Sequence, residues 1–559
     1  AVSGSILISD KINDQIRSHQ HIQSTYLGAY EFKNVEDPMP LFAISNEGLV
    51  VPDREDVRGK LKQQKPKEPS NKLKRKAPIL AVFLLILISA VVYFSFYNES
   101  PIKERSIAVL PFSNLSTEKD DEILGDGITE EILTSLTKIE DLHVISRTSI
   151  LKYRNTKKSI PQIARELGVS YILEGSIQKN GNQLRVTAQL IDAKEDKHVW
   201  AEKYDRTMKD IFDIQTEVSK EIVDALELNI SLEDRSKLVS IPTQNLEAYR
   251  YFLRGKQEAD QRSKESIERS IDLFNKAIDL DPEFAEAYAE IANSIFLSTY
   301  YARANPEEAS KRAEIYLNKA EELKPSVARI YTVKGLLYNH SHQYDRAKSA
   351  FEKAIALAPN DVTARQQFAT YYFYTKQYEK QLEQNKIAYN LDPLSFAAAS
   401  GYLSALTYNR KYDEAEELLK EIEDKFEDAE RSTINRLKMR LYMTTAEYDK
   451  AINPLYELTL EDTNYFRMLG YSYAKAGDTM AAYRIIDSLR KYGPEDLRNH
   501  RIAVVYAGLG KADSVFWYLD STRNKSQLFN SDRLAYFDEY KSDKRYQELL
   551  AQHKINAQN

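Results

Sequence analysis

Residues 342–394 read HQYDRAKSAFEKAIALAPNDVTARQQFATYYFYTKQYEKQLEQNKIAYNLDPL, and two marks recur in that stretch at one interval. Tyr344 and Tyr378 are 34 residues apart, and Tyr412 repeats the step, in HQYDRA, KQYEKQ and RKYDEA. Pro325, Pro359 and Pro393 step by the same 34, in ELKPS, ALAPN and NLDPL. Two series in phase at one period mean a repeated supersecondary unit. Proline has no backbone N–H to donate and ends a helix, while the aromatic opens the helix before it, so the two marks fix the ends of the second helix of a hairpin. Pro282, in DLDPE, begins the series 43 residues before Pro325, which puts nine extra residues in that unit. Tyr448, Gly477-Asp478 and Gly510-Lys511 mark further units, giving seven or eight. Ala277, Ala347, Ala415 and Ala451 are small residues placed where helices cross closely. One pair cannot bury its own apolar face, but stacked pairs bury a continuous core and leave a concave groove.

This pattern resembles the tetratricopeptide repeat. The expected fold class is mainly α: an α-solenoid of tetratricopeptide-type helix pairs over 245–530, with 531–559 a closing helix and tail in which Asp538–Leu550 is amphipathic. Tyr344, Tyr378, Tyr412, Tyr448, Pro282, Pro325, Pro359 and Pro393 define the repeats. The resemblance implies a protein or peptide partner in the groove. Most of the 37 tyrosines are expected inside the repeats. The surplus is Tyr300 and Tyr301 at the insertion, and Tyr371, Tyr372 and Tyr374 in a four-aromatic run. These are the candidate partner-binding aromatics, because recognition surfaces are enriched in such rings.

The chain of 559 residues has room for three or four domains. Its net charge of −6 gives no footprint for nucleic acid, which is not expected as a partner. It has no cysteine, which excludes disulfides, thiolate metal sites and a cysteine nucleophile. His19 with His21 and His340 with His342 are i,i+2 pairs, which do not face each other on a helix. No catalytic, cofactor or metal residues are assigned. The start at Ala-Val-Ser-Gly reads as the interior of a longer protein.

Pro78–Tyr97, PILAVFLLILISAVVYFSFY, is 20 residues without a charge. A helix of that length spans about 30 Å, so 77–97 is expected to cross a membrane. Tyr93, Phe94, Phe96 and Tyr97 would form its aromatic belt. Nine Lys and Arg residues between Arg58 and Lys76 precede it, against Lys103 and Arg105 after it. That asymmetry puts the amino terminus and the basic linker 51–76 in the cytoplasm, and the repeats in the periplasm or outside. The expected location is a bacterial inner or plasma membrane.

Before the linker, residues 1–50 hold strand-like runs at Ser5–Ile8 and Leu41–Ile44 around a short helix at Lys11–Arg17. The segments SGSILISDKINDQI and TYLGAYEFKNVEDPMPLFAI resemble the carboxy-terminal end of a class III adenylate/guanylate cyclase domain. Leu27, Gly28, Phe32, Lys33, Asn34, Val35, Pro38, Phe42 and Ile44 carry the match. The resemblance implies ATP or GTP with Mg or Mn for a full-length parent, which would dimerise through its catalytic domain. The metal-binding aspartates of that family lie upstream of this piece, so this chain alone should be inactive and carries no cofactor.

After the span, a β-α-β-α-β-β-α order is expected over 104–235. Ser106–Phe112 is a strand, Gly127–Lys138 an amphipathic helix, Leu142–Ser146 a strand and Ile160–Leu167 a helix stopped by Gly168. Tyr171–Gln178 and Leu184–Asp192 alternate around Asn180-Gly181, the signature of a type I′ hairpin. A last helix is expected at Asp213–Asn229. Asp120, Asp121, Glu122 and Asp126 read as a solvated acidic loop before a helix, and Gly125-Asp126-Gly127 lacks the rest of a dinucleotide loop. The segments SIAVLPFSNLS, GDGITEEILTSL, IARELGVSYILEGSIQKNGNQLRVTAQLID and HVWAEKYDR resemble the FlgO/TolB amino-terminal-like domain. The functional expectation is a membrane-tethered protein-binding scaffold, the extracytoplasmic sensing half of a class III cyclase signalling protein. The alternatives are an envelope assembly scaffold with an inert cyclase remnant, or a sensor like membrane-bound transcription regulators.

Overall fold

A computed structural model describes residues 2–16, 21–31, 39–53, 56–57, 62–63, 103–116, 122–207, 210–226, 228, 238, 242–426, 431–491, 495–522 and 536–552. The chain forms two compact units, Ala1–Asn98 and Glu99–Asn559. The span expected at 77–97 and most of the linker lie outside the described residues. Among those described, no helix is long and apolar enough to cross a membrane.

The first unit is a small antiparallel sheet. Its strands are β1 (Leu7–Ser9), β2 (Ser24–Glu31), β3 (Met39–Ile44) and β4 (Lys62–Gln63), in the order β1-β3-β2-β4, and α1 (Asp10–Ile16) follows β1. β2 is a strand that sequence periodicity did not reveal. Gly28 (φ 130°) sits at a register shift between β2 and β3, a conformation open to glycine. Leu27, Tyr30, Leu41, Ala43 and Val57 form the core. Leu27, Gly28, Phe42 and Ile44 of the cyclase-like set lie on β2 and β3. Phe32, Lys33, Asn34, Val35 and Pro38 lie outside the described residues.

The second unit opens with a mixed sheet. β5 (Lys103–Val109) lies parallel to β7 (His143–Val144) and to β8 (Val169–Asn180). β9 (Gln183–Asp192) and β10 (Lys197–Thr207) then extend it antiparallel, giving β10-β9-β8-β5-β7, with β6 (Ser113–Asn114) also on β8. β10 was not among the expected strands. The strand expected at Leu142–Ser146 shrinks to two residues. The hairpin forms, but with Asn180 paired to Gln183. Gly181 has φ 58° and Asn182 is not left-handed, so the turn has the glycine-first pattern of type II′ rather than type I′.

Helices α2 (Glu122–Leu136), α3 (Arg147–Leu151), α4 (Ile160–Leu167) and α5 (Ile211–Ala225) cover this sheet. Gly168 closes α4 in the left-handed region (φ 69°), as expected of a glycine just past a helix. Helix α5 starts and stops earlier than the expected Asp213–Asn229. Helix α2 starts before Gly127, so Glu122 and Asp126 belong to a helix and not to an acidic loop. Asp120 and Asp121 lie outside the described residues.

Among the described residues eight helix pairs follow. They are α6 (Leu246–Asp260) with α7 (Lys264–Leu280), α8 (Ala285–Tyr301) with α9 (Pro306–Leu323), α10 (Ala328–His340) with α11 (Tyr344–Leu357) and α12 (Val362–Tyr374) with α13 (Tyr378–Leu391). Then come α14 (Phe396–Tyr408) with α15 (Tyr412–Lys425), α16 (Arg431–Thr444) with α17 (Tyr448–Glu461), α18 (Phe466–Lys475) with α19 (Thr479–Lys491) and α20 (Glu495–Gly508) with α21 (Ala512–Asp520). The expected closing helix is shorter than Asp538–Leu550. A 3-10 turn at Asp538–Tyr540 precedes α22 (Lys544–Gln552).

The sequence marks fall where the chemistry put them. Tyr344, Tyr378, Tyr412 and Tyr448 are each the first residue of a second helix, and Pro282, Pro325, Pro359 and Pro393 each stand two residues after one. The nine-residue insertion is absorbed mainly as helix. α8 and α9 have 17 and 18 residues against 13 and 14 in α10 and α11, about one turn more in each. Ala277, Ala347, Ala415 and Ala451 are fully buried. A Cβ on Gly335 would lie 2.5 Å from the Phe351 ring, so only glycine lets α10 and α11 approach this closely.

Each turn inside a pair holds one left-handed residue: Arg262, Arg303, His342, Lys376, Arg410, Ala446, Gly477 and Gly510. Six of these are not glycine and bear the steric cost of that region. Replacing Ala446 by glycine should therefore raise stability by about 0.5 kcal/mol, the strain relieved minus the entropy glycine adds. Gly335→Val should instead cost about 2 kcal/mol or more through overpacking. Thermal unfolding midpoints of the two variants should move in opposite directions.

Domain junction and candidate interaction surface

The first helix of the array packs on the α/β domain, and Gly127 sets the distance. A Cβ there would meet Leu253 at 2.6 Å and the Tyr249 hydroxyl at 3.1 Å. Tyr249 is fully buried and donates to the Gly127 carbonyl at 3.2 Å. The Gly-Asp-Gly motif is thus a helix-packing spacer, and its aspartate pairs with Arg154.

Charge surrounds this contact. Glu130 of α2 pairs with Lys256 of α6 and with Arg147 at 3.7 Å, and Arg147 also reaches Asp260 at 3.4 Å. Arg329 holds Glu290 through two bonds of 2.9 and 3.2 Å, and Lys324 meets Glu286 at 2.9 Å. Burial alone would push the Glu130 carboxyl up, but Lys256 and Arg147 outweigh it and hold the carboxyl below its usual range. Its neighbour Glu131 forms no ion pair among the described residues. Burial, then the carboxylates of Glu286 and Glu130, push it up to about 7.

Beyond α6, the α/β domain is tied to the loops that join successive pairs. Asn360 donates from Nδ2 to the carbonyls of Ile139 and Leu142, both at 2.8 Å, and its backbone N–H donates to Thr137 O at 3.2 Å. Ser146 N–H donates to Leu391 O at 2.8 Å. The Ser149 hydroxyl donates to Asp392 at 2.6 Å and accepts from Leu394 N–H at 3.0 Å. Lys152 lies over the Phe426 ring, 4.9 Å from its centre. The loops carrying Pro359 and Pro393 therefore do two jobs, ending a helix and holding the α/β domain.

The opposite ends of the first helices, where each pair turns over, carry exposed rings. Tyr300 is 59 % and Tyr374 55 % exposed, and Tyr301 and Tyr408 are exposed too. Tyr300 packs against Phe296 at 5.5 Å and His340 at 6.2 Å. Phe373 joins Tyr374 at 5.7 Å to Tyr408 at 5.0 Å, and Tyr408 stacks on Tyr378 at 5.6 Å. Burial and then the Tyr374 phenol raise the Tyr300 hydroxyl. Beside them, a cleft of about 420 Å³ between α9 and the end of α10 is lined by Pro306, Lys311, Glu314, Tyr338 and His340, among others.

Of the candidate aromatics, Tyr300, Tyr301 and Tyr374 thus present free surface. Tyr371 and Tyr372 do not: they are 4 % and 6 % exposed, packed with Phe351 and Phe368 in the core of the stack. Sequence reasoning missed His340 and Tyr408, although His340, Tyr374 and Tyr408 themselves step by 34. Among the described residues no group of three or more His, Asp or Glu side chains could hold a metal ion.

These features define a helical-repeat scaffold that carries its own α/β domain. The family model that matches is the second domain of HilA/YgeH-like transcriptional regulators, over residues 103–222. The chain is 32 % identical over 289 residues to a Rhizobium meliloti (strain 1021) protein named "Putative adenylate cyclase 3", covering 52 % of this chain and 43 % of that one. It is 20 % identical over 314 residues to the transcriptional regulator HilA of Salmonella paratyphi A, covering 56 % of this chain and 55 % of the regulator. The chain thus spans about half the length of the curated relatives it matches. Among solved structures, YrrB, described as a TPR protein with an unusual peptide-binding site, is 23 % identical over 34 % of this chain and 92 % of its own, with a TM-score of 0.27. The Cut9–Hcn1 assembly of APC/C is 13 % identical over 62 % of this chain and 63 % of its own, with a TM-score of 0.37.

Two outcomes follow for the junction. Asn360→Ala leaves the Ile139 and Leu142 carbonyls short of a donor and should cost about 1–3 kcal/mol, read as a lower unfolding midpoint. Glu131 has the other sign. The folded chain keeps a proton that the unfolded chain loses above its ordinary value of 4.5, so this residue makes stability fall as pH rises towards about 7 and level off above. In Glu131→Gln that decline between pH 5 and 7 should be shallower.

Proposed function

We propose that this chain is the protein-binding, membrane-tethered half of a class III nucleotide cyclase signalling protein. The observation that carries the reading is the division of labour along the repeat array. The α/β domain takes one helix and the inter-pair loops, and the row of Tyr300, Tyr374 and Tyr408 is left with free rings. Large, rigid, amphipathic rings gain contact area at small entropy cost, which suits capture of a protein segment. The relative named as an adenylate cyclase and the cyclase-like end at residues 1–50 support the signalling context. Residues 77–97 would be the tether, with the repeats on the far side from the cyclase end. ATP or GTP with Mg or Mn would belong to the catalytic part, and dimerisation would run through it.

A second reading is favoured by the match of residues 103–222 to the HilA/YgeH-like domain. In it the scaffold receives a signal for a transcription regulator instead of a cyclase. The experiment that separates the two is to read the coding sequence upstream of Ala1 and express the extended chain with ATP or GTP and Mg²⁺ or Mn²⁺. Cyclic nucleotide that vanishes when the upstream metal aspartates are replaced supports the cyclase reading. A folded extended chain without those aspartates or without product removes it. The scaffold reading has its own check: Tyr374→Ala with Tyr408→Ala should lower affinity for an identified partner by about tenfold or more while leaving the fold intact.

A further inference from the structure

Eight buried side-chain nitrogen or oxygen atoms lack a hydrogen-bond partner among the described residues, and three of them belong to one cluster. They are Nε of Arg467, Nε of Arg501 and the Tyr536 hydroxyl. Arg467 lies at the start of α18 and Arg501 in the second turn of α20. Tyr536 packs on Tyr471 of α18 with ring centres 4.8 Å apart. Arg501 is 3 % exposed.

The bonds these groups do make are to neutral atoms. Arg501 donates to Oδ1 of Asn464, and Arg467 donates to the Asn464 carbonyl at 3.1 Å. Asp462 is the carboxylate felt at Arg501, yet its two oxygens already accept from Asn464 N–H at 2.8 Å and Asn464 Nδ2 at 3.0 Å. Among the described residues, neither arginine forms an ion pair. Burial, followed by the charges of Arg467 and Arg501, pushes the His500 imidazole down to about 4, so it is neutral at pH 7. Leaving guanidinium charge buried without a counter-charge is costly. A planar fork of N–H donors is also the geometry that carboxylates and phosphates fit.

We propose that this cluster is a binding site for an oxyanion group, a carboxylate or a phosphate, held by the Nε–H edges of Arg467 and Arg501 with the Tyr536 hydroxyl as a further donor. The bound group supplies the acceptors that these three buried donors lack and the negative charge that Asp462 does not supply alone. The site is separate from the aromatic row and from the junction with the α/β domain.

The test is thermal unfolding of the full chain in inorganic phosphate or in acetate, each titrated against sodium chloride at matched ionic strength. A saturable rise of the midpoint with phosphate or acetate, absent with chloride, is expected, and the arm that saturates at the lower concentration names the favoured oxyanion. Arg467→Gln and Arg501→Gln should each weaken that response tenfold or more. Since either variant could fail to fold, Tyr536→Phe, which keeps the ring, should weaken it about threefold. Phosphorus NMR line widths of inorganic phosphate with the unaltered chain read binding directly. No saturable response to either anion, or a response unchanged in the folded variants, would overturn the assignment.

Discussion

A pair of antiparallel helices has more apolar surface than it can cover by folding on itself, and that shortage organises the molecule. Each pair covers the next, so the spacing of the pairs has to be kept to a fraction of an ångström along the stack. The means are small: buried alanines at the crossings, Gly335 under the Phe351 ring, a proline to end each unit in the central run. Where the chain lengthens, it does so by about a whole helical turn in both helices of a pair, which keeps the same faces pointing at the neighbours.

The array was legible because its constraints are local and periodic. Tyrosine and proline mark helix ends through their own chemistry, and the period repeats the message. The partner surface was harder to read. Helix α12 has neighbours on several sides, so its run of four aromatics carries no mark of which ring stays outside; Tyr371 and Tyr372 turn inwards and Tyr374 outwards. In the α/β domain the first helix was placed too late because Gly125 and Gly127 argue against helix by propensity. Packing of Gly127 against Leu253 and Tyr249 overrides that weak preference. The hairpin was found, but which residue takes the positive φ depends on register, which Asn-Gly alone does not fix.

The junction and the arginine cluster lie beyond such reading for a different reason. Glu130 and Lys256 are 126 positions apart, and Ser149 and Asp392 are 243 apart. No periodicity links them, and each looks in isolation like one of many surface polar residues. The outcome is a scaffold in which the loops at one end of the central pairs hold a domain of the same chain, while the turns at the other end face outwards.

A stack of repeats is ordinarily a one-dimensional object in which any unit can open with only its neighbours to restrain it. Here one large core runs from Ile107 in the sheet to Ala364 in the fourth pair, a smaller one joins Ala347, Phe351, Phe368, Tyr371 and Tyr372, and Ala399 to Leu441 and Met443 to Leu549 have cores of their own. The α/β domain acts as a lateral brace: it spans units that do not touch each other and makes their opening a joint event. The pairs within that large core are expected to open together with the α/β domain, while the later pairs, with cores of their own, are free to open apart from it.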